Sequence, residues 1–215
     1  MIVIICVLIL ISGVWHLFSE NRQQKMGIYI SKPLTTLLIL LLAVVGVEHN
    51  HIPVLYGWLI VIGLAFSILG DIFLMLEKDY FIAGIVAFLI AHLCYIATFY
   101  WLISRLALWP LIILILYGLL VYLKLHKSLA EMKAPVVVYL CVILVMVWLA
   151  WCVWLTNFST GGLLIFIGAL VFAVSDTILA LGKFVKSGPT TQVWVMATYY
   201  VAQTLIGLSV SYLII

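Results

Sequence analysis

Charge is what this chain has least of. Only 8% of its 215 residues are Asp, Glu, Lys or Arg, against 68% hydrophobic. A soluble domain of this size has too little interior to hide that much apolar surface. The net charge is only +3 and the basic residues sit in short connectors, which excludes nucleic acid as a partner class. Cysteine is sparse too. Cys6, Cys94, Cys141 and Cys152 all fall inside apolar runs, with no CxxC and no Cys/His spacing of a zinc site. They read as free thiols packing as small hydrophobes. The chain also has no HExxH, no GxSxG and no Walker glycine loop, so zinc-hydrolase, nucleophile-elbow and P-loop chemistries lack their residues. The expectation is a protein with no cofactor and no metal.

Long apolar runs are abundant instead. Weakly charged windows fall at residues 1–18, 33–47, 54–76, 80–103, 108–123, 135–155, 161–182 and 192–215. Spans of about 17–25 residues fit helices, whereas barrel strands would alternate over about ten. The expected fold is all-α: one transmembrane domain over 1–215, an integral membrane bundle of eight helices. The first window lacks the basic leader and the small-residue cleavage site of a signal peptide, so it reads as a helix. Nine of the ten Lys and Arg fall at the odd-numbered connectors: Arg22, Lys25, Lys32, Lys78, Lys124, Lys127, Lys133, Lys183 and Lys186. The even ones hold only Arg105. That asymmetry predicts odd connectors in the cytoplasm and both termini outside.

Sliding the chain by half its length aligns "LGDIFL" (69–74) with "VSDTIL" (174–179), and "FLIAH" (88–92) with "YYVAQ" (199–203). Upstream, "KPLTTL" (32–37) and "APVVVY" (134–139) are read as placing proline in the first turn of a helix. The pattern fits two parallel four-helix repeats, about 1–105 and 106–215. Asp71 and Asp176 then lie at matched depth, roughly 8–9 Å inside the cytoplasmic ends of spans three and seven at 1.5 Å per residue. Lys32 is expected at the start of span two and Tyr139 one turn into span six. His92, Tyr199, Tyr200 and Gln203 fall roughly 10–18 Å in from the same side by the same rise. Polar groups thus crowd the inner half of the bundle, and the outer half is nearly bare.

A carboxyl at membrane depth costs about 2.5–3.5 kcal/mol to insert and normally faces the bundle interior. The bland reading is that each aspartate hydrogen-bonds neighbouring helices and fixes packing. The functional one is that two carboxyls in unlike surroundings divide into an acid and a base. His92 alone on an apolar helix fits a hydrogen-bonded core residue as well as a ligand. His49 and His51, flanking Asn50, read as solvated in an outer loop. His16 and His126 stand at span ends, where interfacial placement is the default. Lys32 either snorkels or meets a lipid phosphate, and Tyr199 and Tyr200 either pack or serve the site. The eight Trp mostly suit membrane interfaces.

"SKPLTTL", "LGDIFLML", "FIAGIVAFLIAHLCY", "SDTILAL" and "YYVAQTLI", in that order, resemble the YhhN-like lysoplasmalogenase family from about residue 31 to 210. The resemblance implies hydrolysis of the vinyl ether of lysoplasmalogens, releasing a fatty aldehyde and glycerophosphoethanolamine or glycerophosphocholine. It puts function on Lys32, Asp71, His92, Asp176, Tyr200 and Gln203, and implies a multi-pass protein of a bacterial inner membrane. Vinyl ethers resist base but yield to acid, because protonating the β carbon gives an oxocarbenium ion. Asp71 and Asp176 are the expected acid/base pair, with Lys32 near the phosphate and the tyrosines and Gln203 orienting the ether. Which aspartate is the acid stays open. The partners are then a lysophospholipid substrate and membrane lipids. The alternative is a small proton-coupled transporter or lipid-handling carrier, which would need polar access from both faces.

The charge asymmetry is checked by cysteines introduced at Ser187 and Asn50 in a chain stripped of its own. They should label from opposite faces of intact cells. Labelling of position 187 from outside would reverse the orientation.

Overall fold

The computed structural model describes residues 1–49, 54–76 and 80–212, with the side chains of residues 49, 54 and 157 left aside. Asn50, His51 and Lys78, read above as connector residues, lie outside the described residues. Eight α-helices follow one another: α1 (Ile2–Asn21), α2 (Lys25–His49), α3 (Val54–Met75), α4 (Phe81–Leu102), α5 (Trp109–Leu125), α6 (Lys133–Asn157), α7 (Thr160–Phe184) and α8 (Thr191–Tyr212). No strand occurs among the described residues. Seven of the helices are long and apolar enough to cross a membrane, and α5 is a shorter apolar helix of 17 residues. The protein is a multi-pass integral membrane protein. Its surface agrees: Val3, Trp101 and Ile112 are 75%, 74% and 72% exposed, which suits hydrocarbon rather than water as the surrounding solvent.

Connectors are tight because the chain supplies residues for abrupt reversals. Gln23 is left-handed at φ 53° and the Gln24 N–H returns to Ser19 O at 2.9 Å. The chain reverses at once and α2 begins at Lys25. Between α6 and α7, Phe158 takes the left-handed conformation, and Ser159 caps α7 by accepting the Gly162 N–H on Oγ at 3.1 Å. Pro110 stands in the first turn of α5, where its missing N–H is harmless.

Pro33 departs from expectation. It lies inside α2, eight residues past the first one, and not in an opening turn. Polar residues in "KMGIYISK" masked the helix from a hydropathy reading. Hydroxyl bonds brace the backbone around the proline: Ser31 Oγ donates to Gly27 O at 2.6 Å and Thr35 Oγ1 to Ser31 O at 2.8 Å. Lys32 is consequently two turns within the helix rather than at its start.

Helix α8 is the hub, packing on α7, α2, α1 and α3, while α5 packs on α6 and α7 at one side. Helix α4 rests on α3 and α6. The core runs through Ile39, Leu42, Ile60, Leu64, Met146 and Ile206, all fully buried. The half of the bundle away from the two aspartates is less bare than its sequence reads, since the Tyr56 and Ser209 hydroxyls share a buried hydrogen bond of 3.0 Å.

Small residues allow α7 and α8 to approach closely. A Cβ added at Gly168 would stand 2.8 Å from Ile206 Cγ1 and 3.1 Å from the backbone oxygen of Ala202. At Gly13 the nearest atoms are at 3.7 and 3.9 Å, ordinary contact. Gly168→Ala should therefore destabilise by about 1–3 kcal/mol through overpacking, and Gly13→Ala should be neutral or better. Thermal unfolding of the detergent-solubilised variants checks this; equal melting points would contradict the close α7–α8 approach.

Candidate functional site

Helix α3 carries Asp71 near its end, and α2 and α8 close over it. The carboxyl is 2% exposed. Its Oδ2 accepts the Thr36 hydroxyl at 2.7 Å and the Tyr199 hydroxyl at 2.9 Å, and its Oδ1 faces Lys32 Nζ at 3.7 Å. Lys32 and Thr36 are one turn apart on α2, so a single helix face supplies both the ammonium and a hydroxyl. Lys32 itself is only 3% exposed. It does not snorkel: protein encloses the side chain, and its ammonium faces Asp71. Two hydroxyl donors and an ammonium converge on this carboxyl, and the group is sealed.

Asp176 on α7 has a different setting. Tyr139 on α6 donates to its Oδ2 at 2.8 Å, and His92 Nε2 of α4 stands 3.9 Å from the same oxygen. His92 is fully buried, with no well-formed hydrogen bond on either ring nitrogen. It is held edge-on by Phe172 at 4.7 Å and Tyr139 at 5.4 Å between ring centres. Next to Asp176, Thr177 meets the Tyr117 hydroxyl of α5 at 2.6 Å.

Asp176 also opens on a cavity of about 50 Å³ among α3, α4, α5, α6 and α7. The polar groups that line it, Tyr117, Tyr139, Asp176 and Thr177, gather at one level. The rest of the wall is apolar, from Phe88 and Ile143 to Leu125. Along α7 the lining runs from Ala173 to Phe184, about 16 Å at the helical rise. At the far end the rings of Phe81 and Phe184 meet edge-on at 5.8 Å, at the first residue of α4 and the last of α7. Asp71 is not in the lining. An elongated apolar hollow with a few convergent polar groups is the form of a small-molecule site. Here it suits an amphipathic molecule with a thin apolar part.

The eight residues named from the sequence therefore fall into groups. Lys32, Asp71 and Tyr199 come together, as do His92, Tyr139 and Asp176. The ring of Phe172 links the two groups, packing on Tyr199 at 5.7 Å and on His92. Gln203 bonds to neither carboxylate directly: its Oε1 accepts from Tyr95 at 2.8 Å and its Nε2 donates to Ser67 Oγ at 2.8 Å, and it also meets Tyr199, which donates to Asp71. Tyr200 packs edge-on to His16 at 5.5 Å. His16 does not face the surroundings of the bundle. It is fully buried, with Nδ1 2.9 Å from Ser31 Oγ and Nε2 3.6 Å from Glu20, because α2 begins early enough to cover it. Thr36, Tyr117, Thr177 and Tyr95 escaped the sequence reading. Thr36 one turn after Lys32, and Thr177 beside Asp176, were the available signals. Among the described residues no three His, Cys, Asp or Glu side chains group to hold a metal.

Comparison with known proteins gives the family. A model of the YhhN family matches residues 27–210, and the chain belongs to that family. It is 32% identical over 149 residues to the uncharacterized membrane protein YhhN of Escherichia coli O157:H7, covering 69% of this chain and 70% of that protein. It is 34% identical over 160 residues to lysoplasmalogenase TMEM86A of Homo sapiens, covering 70% of this chain and 64% of that protein. Lysoplasmalogenase TMEM86B of Homo sapiens is 33% identical over 132 residues, 60% of this chain and 53% of that protein. No solved structure matches.

The sealed pair is open to a stability test. Asp71→Asn strands a buried ammonium and should cost about 3–5 kcal/mol. Adding Lys32→Met removes the stranded charge and should restore part of that loss. Denaturation in detergent, run as a double-mutant cycle, reads the coupling. Losses that simply add would mean the two charges do not act as a pair.

Proposed function

We propose that this protein is a hydrolase that cleaves the vinyl ether of lysoplasmalogens. One observation carries the reading: an apolar cavity whose polar level centres on a carboxyl, Asp176, inside a protein related to lysoplasmalogenases. The substrate has the matching shape, a single chain joined through a vinyl ether to a polar glycerophospho headgroup. In the proposal the chain lies along the apolar wall and the ether stands beside Asp176.

The chemistry then follows from the bond. Asp176 in its acid form gives a proton to the β carbon of the vinyl ether, and the positive charge that develops is shared by the α carbon and the ether oxygen. The resulting Asp176 carboxylate lies against that cation and stabilises it. Water adds to the oxocarbenium carbon and returns a proton to the carboxylate, which restores the acid. The hemiacetal then breaks its bond to the glycerol oxygen, releasing a fatty aldehyde and the glycerophospho alcohol. Tyr139 holds the Asp176 carboxyl in place, and His92, with its long contact to the same oxygen, is positioned to take up a hydrogen bond as substrate closes the site. Asp71 enters as a positioning residue rather than as the second member of an acid/base pair. With Lys32 it holds Tyr199, whose ring supports Phe172 and, through it, His92.

Purified protein given lysoplasmenyl-ethanolamine should release aldehyde, and Asp176→Asn should lower kcat at least about 100-fold. Turnover in D₂O should place one deuterium on the carbon next to the new carbonyl, read after immediate trapping with borohydride. Incorporation no greater than that of preformed aldehyde carried through the same procedure would rule out proton transfer to carbon.

A further inference from the structure

Hydrolysis of a vinyl ether at Asp176 needs a water held beside the carboxyl, and the hydroxyl that α5 brings to the cavity is suited to hold it. Tyr117 lines the cavity with Asp176, close enough for the Asp176 charge to act on its hydroxyl. That hydroxyl is 2.6 Å from Thr177 Oγ1 and 3.4 Å from Ala173 O. Thr177 gives its own proton to Ala173 O at 2.8 Å, a bond back across one helical turn. A hydroxyl has a single proton and two lone pairs. With the Thr177 proton committed to Ala173, the Tyr117 proton goes to Thr177 over the shorter of its two contacts. The phenol oxygen then keeps lone pairs and has no proton to offer. It is an acceptor at the polar level of the cavity. Tyr139 and His92 both address Oδ2 of Asp176, which leaves Oδ1 for substrate and water.

We infer that Tyr117 orients the hydrolytic water, resting on the reading of the site as a vinyl ether hydrolase. The water gives one hydrogen bond to Asp176 Oδ1 and the other to Tyr117 Oη, and a lone pair is left for the oxocarbenium carbon. As the carbon–oxygen bond forms, the proton on the carboxylate side passes to Asp176. The π electrons of the cation return to the ether oxygen. The second hydrogen stays on the new hemiacetal hydroxyl, still bonded to Tyr117. Thr177 is a positioning residue, since it keeps the phenol proton turned away from the water.

Two acceptors select a nucleophile with two hydrogens, and methanol has only one. The test is therefore a partition. Purified protein in maltoside micelles is given lysoplasmenyl-ethanolamine in buffer containing methanol. Mass spectrometry compares the aldehyde released with the mixed methyl acetal that keeps the glycerophospho group. That acetal forms only by capture of the oxocarbenium ion, since free aldehyde has already lost the glycerol oxygen. Tyr117→Phe should raise the ratio of acetal to aldehyde about five- to ten-fold, the worth of one hydrogen bond. Thr177→Val, which releases the phenol proton, should raise it as well, and Thr177→Ser should keep the wild-type ratio. This second pair carries the test if Tyr117→Phe does not fold. Val121 lines the cavity one turn further along α5, so Val121→Ala adds space without removing an acceptor and should leave the ratio unchanged. A wild-type ratio in Tyr117→Phe overturns the inference and leaves the hydrolase reading standing. An equal rise in Val121→Ala does the same, because space alone would then admit methanol. If wild-type protein releases no aldehyde, the hydrolase reading falls first and this inference with it.

Discussion

An ammonium and a carboxylate buried side by side in a membrane protein constrain everything around them. Separating Lys32 from Asp71 would leave the Asp71 carboxylate buried with hydroxyl donors but no counter-ion beside it, and burying an uncompensated charge costs several kcal/mol. Their 3.7 Å approach therefore pins α2 to α3. The carboxyl's remaining capacity goes to Thr36 and Tyr199, and the second of these brings in α8, the helix on which four others pack. The positions of three helices converge on one side chain. Such a pair adds little to stability over a well-packed apolar core, but it allows only one arrangement of the helices that supply its donors.

The consequence reaches the second carboxyl through aromatic rings. Tyr199, held by Asp71, packs on Phe172, and Phe172 packs on His92. His92 in turn stands by Asp176. Close-packed rings transmit position because no void exists into which they could relax. Asp71 lies four residues before the end of α3 and Asp176 eight before the end of α7, and their surroundings differ as well. One is saturated by donors and sealed, and the other has a single tyrosine bond and an open wall. An unequal division of surroundings is what the proposed roles, Asp176 as acid and Asp71 as positioning carboxylate, require.

The cavity is the feature on which the proposed chemistry rests. Its wall is apolar along about 16 Å of α7, and its polar groups are confined to one level. Relatives named lysoplasmalogenase share about a third of their residues with this chain over the aligned region, and the geometry gives that kinship a physical content.

The sequence by itself determined the membrane, the helical class, the number of helices and the two intramembrane aspartates. Hydropathy and the cost of burying charge act locally, and a stretch of chain displays both without reference to its neighbours. It also assigned Asp71 and Asp176 to one end of the bundle, since depth along a helix is counted in residues. The start of α2, the burial of His16 and the partner of Lys32 were invisible for a common reason. Each depends on which helix face meets which, and a helix as polar as the opening of α2 reads as a connector until α1 covers it. Only the tertiary structure decided that the two aspartates part company, because that division rests on Thr36, Tyr199, Tyr139 and His92 arriving from four other helices. Local pattern places a carboxyl in the membrane; what it can do there is set by the donors that distant segments bring to it.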